Sequence, residues 1–171
     1  STIQANKGSG ILAAGSRAII FQNEILDTQT GSWGGGDGII ATDAQDENGM
    51  TVDADVEISG NLKIAGNART GILINGNTRA IIFQNPSIDT NLRAGIWLQN
   101  GGASTGALID IHDNALTKNS WSGFVALNSI VATVSNNTVD QTQLVTNIVN
   151  GSSVDEGDGF CVFDGAQITL D

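Results

Sequence analysis

The heptapeptide RAIIFQN stands at Arg17–Asn23 and again, letter for letter, at Arg79–Asn85. Internal repetition of this kind constrains a fold more tightly than composition does, because self-similar segments are built to stack on one another. Two phrases recur around it. The first is a glycine followed by an alternating apolar run, at Gly10, Gly38, Gly71, Gly95, Gly123 and Gly159. The second is an alternating strand that ends at Asn23, Asn61, Asn85, Asn114 and Asn137, and AQITLD near the end of the chain begins a sixth. A weaker apolar phrase follows each asparagine: EIL, LKI, SIDT, ALT and TVD.

Each unit therefore holds three short strands in about 24 residues plus insertions, too little to bury its own apolar face, so it must stack on copies of itself. Strand formers Ile and Val dominate the apolar set, and no window of a dozen residues holds a helical period. The pattern predicts an all-β chain: a single-stranded parallel β-helix, three-sided, of about six coils, wound right-handed as parallel crossovers are. An all-β sandwich also alternates, but would not repeat the Gly-to-Asn order six times.

Inward columns follow directly. One is Ile11, Ile39, Ile72, Ile96, Phe124 and Phe160, and the next is Ala13, Ala41, Ile74, Leu98, Ala126 and Val162. On the second strand, Ile20, Ile58, Ile82, Ile111, Val134 and Ile168 align. The recurring asparagines suit left-handed corners and amide ladders along the axis.

These repeats resemble the pectate-lyase-like superfamily of right-handed parallel β-helices, whose repeats are written GI…N.I..N. The resemblance covers nearly the whole chain. It implies the fold, but that superfamily spans polysaccharide lyases, polygalacturonases, alginate epimerases, phage tailspikes and surface adhesins. Residues 1–9 enter in mid-coil and Asp171 follows a strand, with no capping repeat at either end. Residues 1–171 are thus expected to be one β-helix domain, a segment of a longer solenoid lacking caps, with loop insertions at 28–37, 43–55 and 140–158.

Charge narrows the partners. There are 18 acidic against 7 basic residues, a net charge of −11, which argues against nucleic acid or an anionic membrane surface. No run of apolar residues is long enough for a membrane helix, so no membrane insertion is expected. The single Cys161 excludes an internal disulfide framework.

An enzyme reading finds little support. The two GDG triplets place Asp37 and Asp158 at one corner but four coils apart, about 19 Å, too far for paired carboxylates. The DD, GHG, RIK and DPHE motifs of the resembled enzymes are absent, and Arg69, Arg79 and Arg93 lack an accompanying carboxylate cluster. In IDIHDN, Asp110 and His112 share the outward face about 6.5–7 Å apart, with Ser135 on the next coil. Nothing supplies an oxyanion hole, and a solvated polar patch is the simpler account. In the loop 43–55, Asp43, Asp46 and Glu47 offer hard oxygen donors suited to Ca²⁺, without the spacing of an EF-hand. No cofactor is required, though Ca²⁺ is compatible.

The outward side of the glycine strand is more telling. Leu12, Ile40, Leu73, Trp97 and Val125, with Cys161, form a stripe that should face water yet is apolar in every coil. Parallel strands apolar on both faces are normally covered on both. The cover is either the chain's own loop at Leu144–Val149 or something else: another protomer, another part of the parent chain, or a ligand. Trp33 and Trp121 lie near the same corner. The expected role is a non-catalytic structural or binding segment of a secreted or cell-surface protein, contacting a protein partner, a second copy or a polysaccharide through this stripe. The alternative is a fragment of a polysaccharide-active enzyme (lyase, hydrolase or epimerase) whose catalytic residues lie elsewhere.

Overall fold

The computed structural model describes residues 1–32, 34–99, 108–149 and 152–171, with side chains for all of these except 145–149 and 152–156. Three parallel sheets of six strands each wrap one core. The glycine face is made of Ser9–Ala14, Asp37–Thr42, Thr70–Asn75, Ala94–Gln99, Trp121–Ala126 and the C-terminal half of Ser152–Val162. The second face holds Arg17–Phe21, Ala54–Ser59, Thr78–Phe83, Ile109–His112, Val131–Ser135 and Gln167–Leu170. The third is built from Thr2–Gln4, Glu24–Leu26, Lys63–Ala65, Ile88–Asp89, Ala115–Thr117 and Thr138–Asp140. The chain visits the three faces in turn, so each coil lies on the one before it.

The columns read from the sequence hold on the glycine face. Ile11, Ile39, Ile72, Ile96, Phe124 and Phe160 pair rung to rung, as do Ala13, Ala41, Ile74, Leu98, Ala126 and Val162. On the second face Ile20, Ile58, Ile82, Ile111 and Val134 stack as expected. Ile168 does not join them: it pairs with Ala132, and Leu170 takes the place beside Val134. The sixth coil has no corner asparagine to mark the register, and the residue beside Val134 lies one two-residue period further along the chain. The third face adds Ile3, Ile25, Ile64, Ile88, Leu116 and Val139. Full burial of each such isoleucine is worth about 1.5–3 kcal/mol, and this column sum is the main force that closes the coils.

The asparagines also depart from expectation in an instructive way. The left-handed residue at the corner is the one before each asparagine: Gln22, Gly60, Gln84, Asp113 and Asn136, with φ from 52 to 56°. The asparagine itself supplies hydrogen bonds. Asn85 Nδ2 donates to Ile58 O at 3.0 Å and to Asn114 Oδ1 at 2.8 Å, while its own Oδ1 accepts the Asn61 N–H and Nδ2, both at 3.0 Å. Ladder pairing thus interrupted by the turn is restored by the side chain, with Asn61 and Asn85 fully buried.

A second ladder, unread in the sequence, closes the next corner. Asn67 Nδ2 donates to Asn91 Oδ1 at 2.8 Å, and Asn91 Nδ2 to Asn119 Oδ1 at 2.9 Å. It also explains the glycine at Gly38, Gly71 and Gly95. A methyl group at Gly71 would lie 2.8 Å from Asn91 Nδ2 and 2.7 Å from Gly95 O, so the amide ladder leaves no room for a Cβ.

Two hairpins project from the stack. Ala44–Gln45 pairs antiparallel with Thr51–Val52, and Val145–Val149 pairs antiparallel with Ser152–Glu156. They occupy two of the three insertions expected from the sequence. Among the described residues no helix is long and apolar enough to cross a membrane.

Candidate functional site

The outward side of the glycine face divides along its length. Leu12 in the first coil is 59% exposed and Ile40 half-buried, whereas Leu73, Trp97, Val125 and Cys161 are buried. Trp121 from the preceding corner packs its ring on Trp97 with centroids 5.0 Å apart, and the Arg93 guanidinium lies 4.1 Å over the Trp97 ring and 5.2 Å over that of Trp121. The apolar stripe is therefore covered from the third coil onward, and Leu73, Trp97 and Val125 present no free surface to a ligand. Of the loop proposed as cover, Leu144 is 73% exposed, and the side chains of 145–149 lie outside the described ones. Trp33 also lies outside the described residues.

The corner that feeds this face carries the charge. Arg69 and Arg93 occupy successive rungs of one column, with Arg69 N–H donating to Gly36 O at 2.9 Å and Arg93 N–H to Arg69 O at 2.7 Å. Trp121 holds the next rung, since Ala94 pairs with Ser122. One residue further along each strand, Asp37 and Asp158 share a column, separated by Thr70, Ala94 and Ser122. The expected four-coil separation of the two aspartates holds, and they do not form an acid–base pair.

Asp37 is fully buried. Its Oδ1 accepts from Arg69 Nε at 3.0 Å and from the Thr70 N–H at 3.2 Å. Burial pushes its carboxyl above the ordinary aspartate range, against the opposing pull of Arg69 and Thr70. Arg93 is held below its ordinary range by withdrawal from water and by the like charge of Arg69. Sequence reading missed this group because it counted forward from each glycine. The signal lay two residues before it, where Gly36, Arg69, Arg93 and Trp121 align.

The remaining candidates fall apart as sites. Asp46 Oδ1 accepts the Asn48 and Met50 N–H groups, both at 2.8 Å, which closes the 44–52 hairpin and lowers its pKa. Asp43 instead accepts from Thr42 Oγ1 and from the Asn77 N–H of the next coil. Glu47 is exposed. Among the described residues no group of three or more His, Cys, Asp or Glu side chains gathers as a metal site. His112 Nδ1 meets Asp113 Oδ2 at 2.9 Å rather than Asp110, and its ring stacks on Phe83 at 5.2 Å. Ser135 does lie beside it on the next rung.

The second face is the open one. Its outward positions in the first three coils are Arg17, Ile19 and Phe21, then Asp55, Glu57 and Ser59, then Arg79, Ile81 and Phe83. Ile19 is 67% and Phe21 53% exposed. A shallow depression runs across Arg17, Ile19, Asp55, Glu57, Arg79 and Ile81. Among the described residues, neither Arg17 nor Arg79 forms an ion pair with the acids between them; the ion pairs there are Arg69–Asp37 and His112–Asp113.

No curated protein and no solved structure matches the chain. A protein family described as "Right handed beta helix region" matches residues 1–171, the whole length. Its hand is that expected from the repeats, and its architecture is the one seen in the three stacked sheets. The chain belongs to the right-handed β-helix family.

Proposed function

We propose that this β-helix segment is a non-catalytic contact scaffold of a secreted or cell-surface protein, and that its protein partner meets the second face. One observation supports the reading above the others: the repeated RAIIFQN. Packing requires only the inward Ala18, Ile20, Ala80 and Ile82 of the two copies. It leaves the outward Arg17, Ile19 and Phe21 free to vary, yet Arg79, Ile81 and Phe83 repeat them two coils away. The two identical rows stand about 10 Å apart, Ile19 and Phe21 of the first exposed and Ile81 and Phe83 of the second half-buried, with Phe83 stacked on His112. The exposed Ile19 and Phe21 supply the apolar anchor, and Arg17 and Arg79, without an ion pair among the described residues, supply the polar rim that protein interfaces favour. The resemblance to surface and secreted β-helices supports the extracellular location.

A second copy of the chain is the partner that can be tested first. Sedimentation equilibrium over a wide concentration range is expected to show reversible association that disappears in Ile19→Asp/Phe21→Ser. Association unchanged in that variant would remove the second face from the reading. Release of reducing ends or unsaturated products from a polysaccharide panel would replace the scaffold with the enzyme alternative.

A further inference from the structure

We propose that the corner column of Arg69 and Arg93, walled by Trp121, is a binding site for a small oxyanion: a carboxylate, sulfate or phosphate group. Stacked rungs lie about 4.8 Å apart, so two guanidinium-bearing residues on consecutive rungs repel one another unless something negative joins them. Among the described side chains, Asp37 is the carboxylate that acts on both. Asp37 engages Arg69 through Nε alone, at 3.0 Å. Among the described residues, the terminal nitrogens of Arg69 and the whole guanidinium of Arg93 have no hydrogen-bond or ion-pair partner.

Arg93 is nonetheless held in place. Its charge sits over the faces of Trp97 and Trp121, which fixes the fork without using its donors. Arg69 is fixed from behind by the buried Asp37. Both side chains are thus pre-organised with free N–H groups on a corner that stays accessible: Arg93 is exposed, the Arg69 side chain 33% exposed and Trp121 half-buried. Guanidinium forks match the geometry of oxyanions and bind them bidentately. Withdrawal from water and then the like charge of Arg69 hold the Arg93 pKa down, and an anion seated across the two would offset the second of these. In a chain of net charge −11, such a positive spot is a local exception that needs a reason.

The test is a titration of the whole chain with sulfate, phosphate and acetate at constant ionic strength, with chloride as the control. Tryptophan fluorescence gives the readout, since Trp97 and Trp121 flank Arg93. At least one oxyanion is expected to give a saturable change that chloride does not, weakened roughly tenfold or more in Arg93→Gln. Arg93→Lys, which keeps the charge but loses the fork, is expected to fall between. Arg69→Lys guards against a variant that leaves Asp37 alone and fails to fold. Ile19→Asp/Phe21→Ser is expected to bind the anion as the parent does, which separates this site from the partner face. No saturable change with any of the three anions, or equal affinity in the parent and Arg93→Gln, would overturn the proposal.

Discussion

Two surfaces of this solenoid began with the same problem and reached opposite ends. On the glycine face the outward stripe from Leu73 to Cys161 is buried, with Trp121 and Arg93 drawn over Trp97. On the second face Ile19 and Phe21 stay in water, although the rungs beneath are packed just as well. The difference lies in the corners. The corner before the glycine face delivers Arg93 and Trp121, which fold back over the sheet. The corner after the second face delivers Asn61, Asn85 and Asn114, which turn inward to the backbone and cover nothing outside. What lies outside a β-helix is thus decided by its turns, while its strands decide the core.

The largest effect expected from this contrast is at Trp97. Trp97→Ala should cost about 3–5 kcal/mol in chemical denaturation, as for a core aromatic, although the residue faces outward. A loss under about 1 kcal/mol would mean the stripe is not truly covered. Next come the ladders beneath both faces. Asn85→Ala and Asn91→Ala should each cost about 2–4 kcal/mol, because each leaves buried backbone groups unpaired: Asn61 N–H and Ile58 O in the first, Asn67 N–H and Ile64 O in the second. Similar losses at the two sites would show that the second ladder is as structural as the first. Phe21→Ala, on the open face, should change stability by no more than about 0.5–1 kcal/mol, and a core-sized loss there would erase the contrast.

The smallest effect concerns pH. Because the Asp37 pKa is raised in the fold, its stabilising contribution is fully present below the ordinary aspartate value and is lost as pH rises through the folded value. Relative to Asp37→Asn, the parent should therefore lose stability as pH rises from acid, then level off. A parent that instead gains on the variant with rising pH would mean that Arg69 outweighs burial.

The core was readable because the signal was long and redundant: alternating strands of four to six residues, most of them bracketed by Gly and Asn, give the register by counting. Where that bracket is missing, as at Ile168, counting is off by one period. The second ladder escaped because its strands are only two or three residues long, too short to alternate, and the residues before Asn67, Asn91 and Asn119 are Gly66, Thr90 and Lys118, with no shared type. The covered stripe could be inferred, since parallel strands apolar on both sides must be shielded. Which side chains shield it could not, because the fold-back of Arg93 and Trp121 depends on a corner conformation, including φ of 67° at Trp121, that no periodicity encodes. The same holds for the burial of Asp37, which reads in sequence as one more turn aspartate between glycines.

In a stacked β-helix, residues far apart in sequence stand in line along one axis. Ile19 and Thr133 belong to one outward column, linked rung by rung through Glu57, Ile81 and Asp110. Spin labels at these two positions, in a background where Cys161 is replaced by Ala, permit a direct distance measurement by double electron–electron resonance. Four rungs at about 4.8 Å predict a single narrow population centred near 19 Å. A centre beyond about 30 Å, or a broad distribution with no dominant distance, would contradict the stacked β-helix.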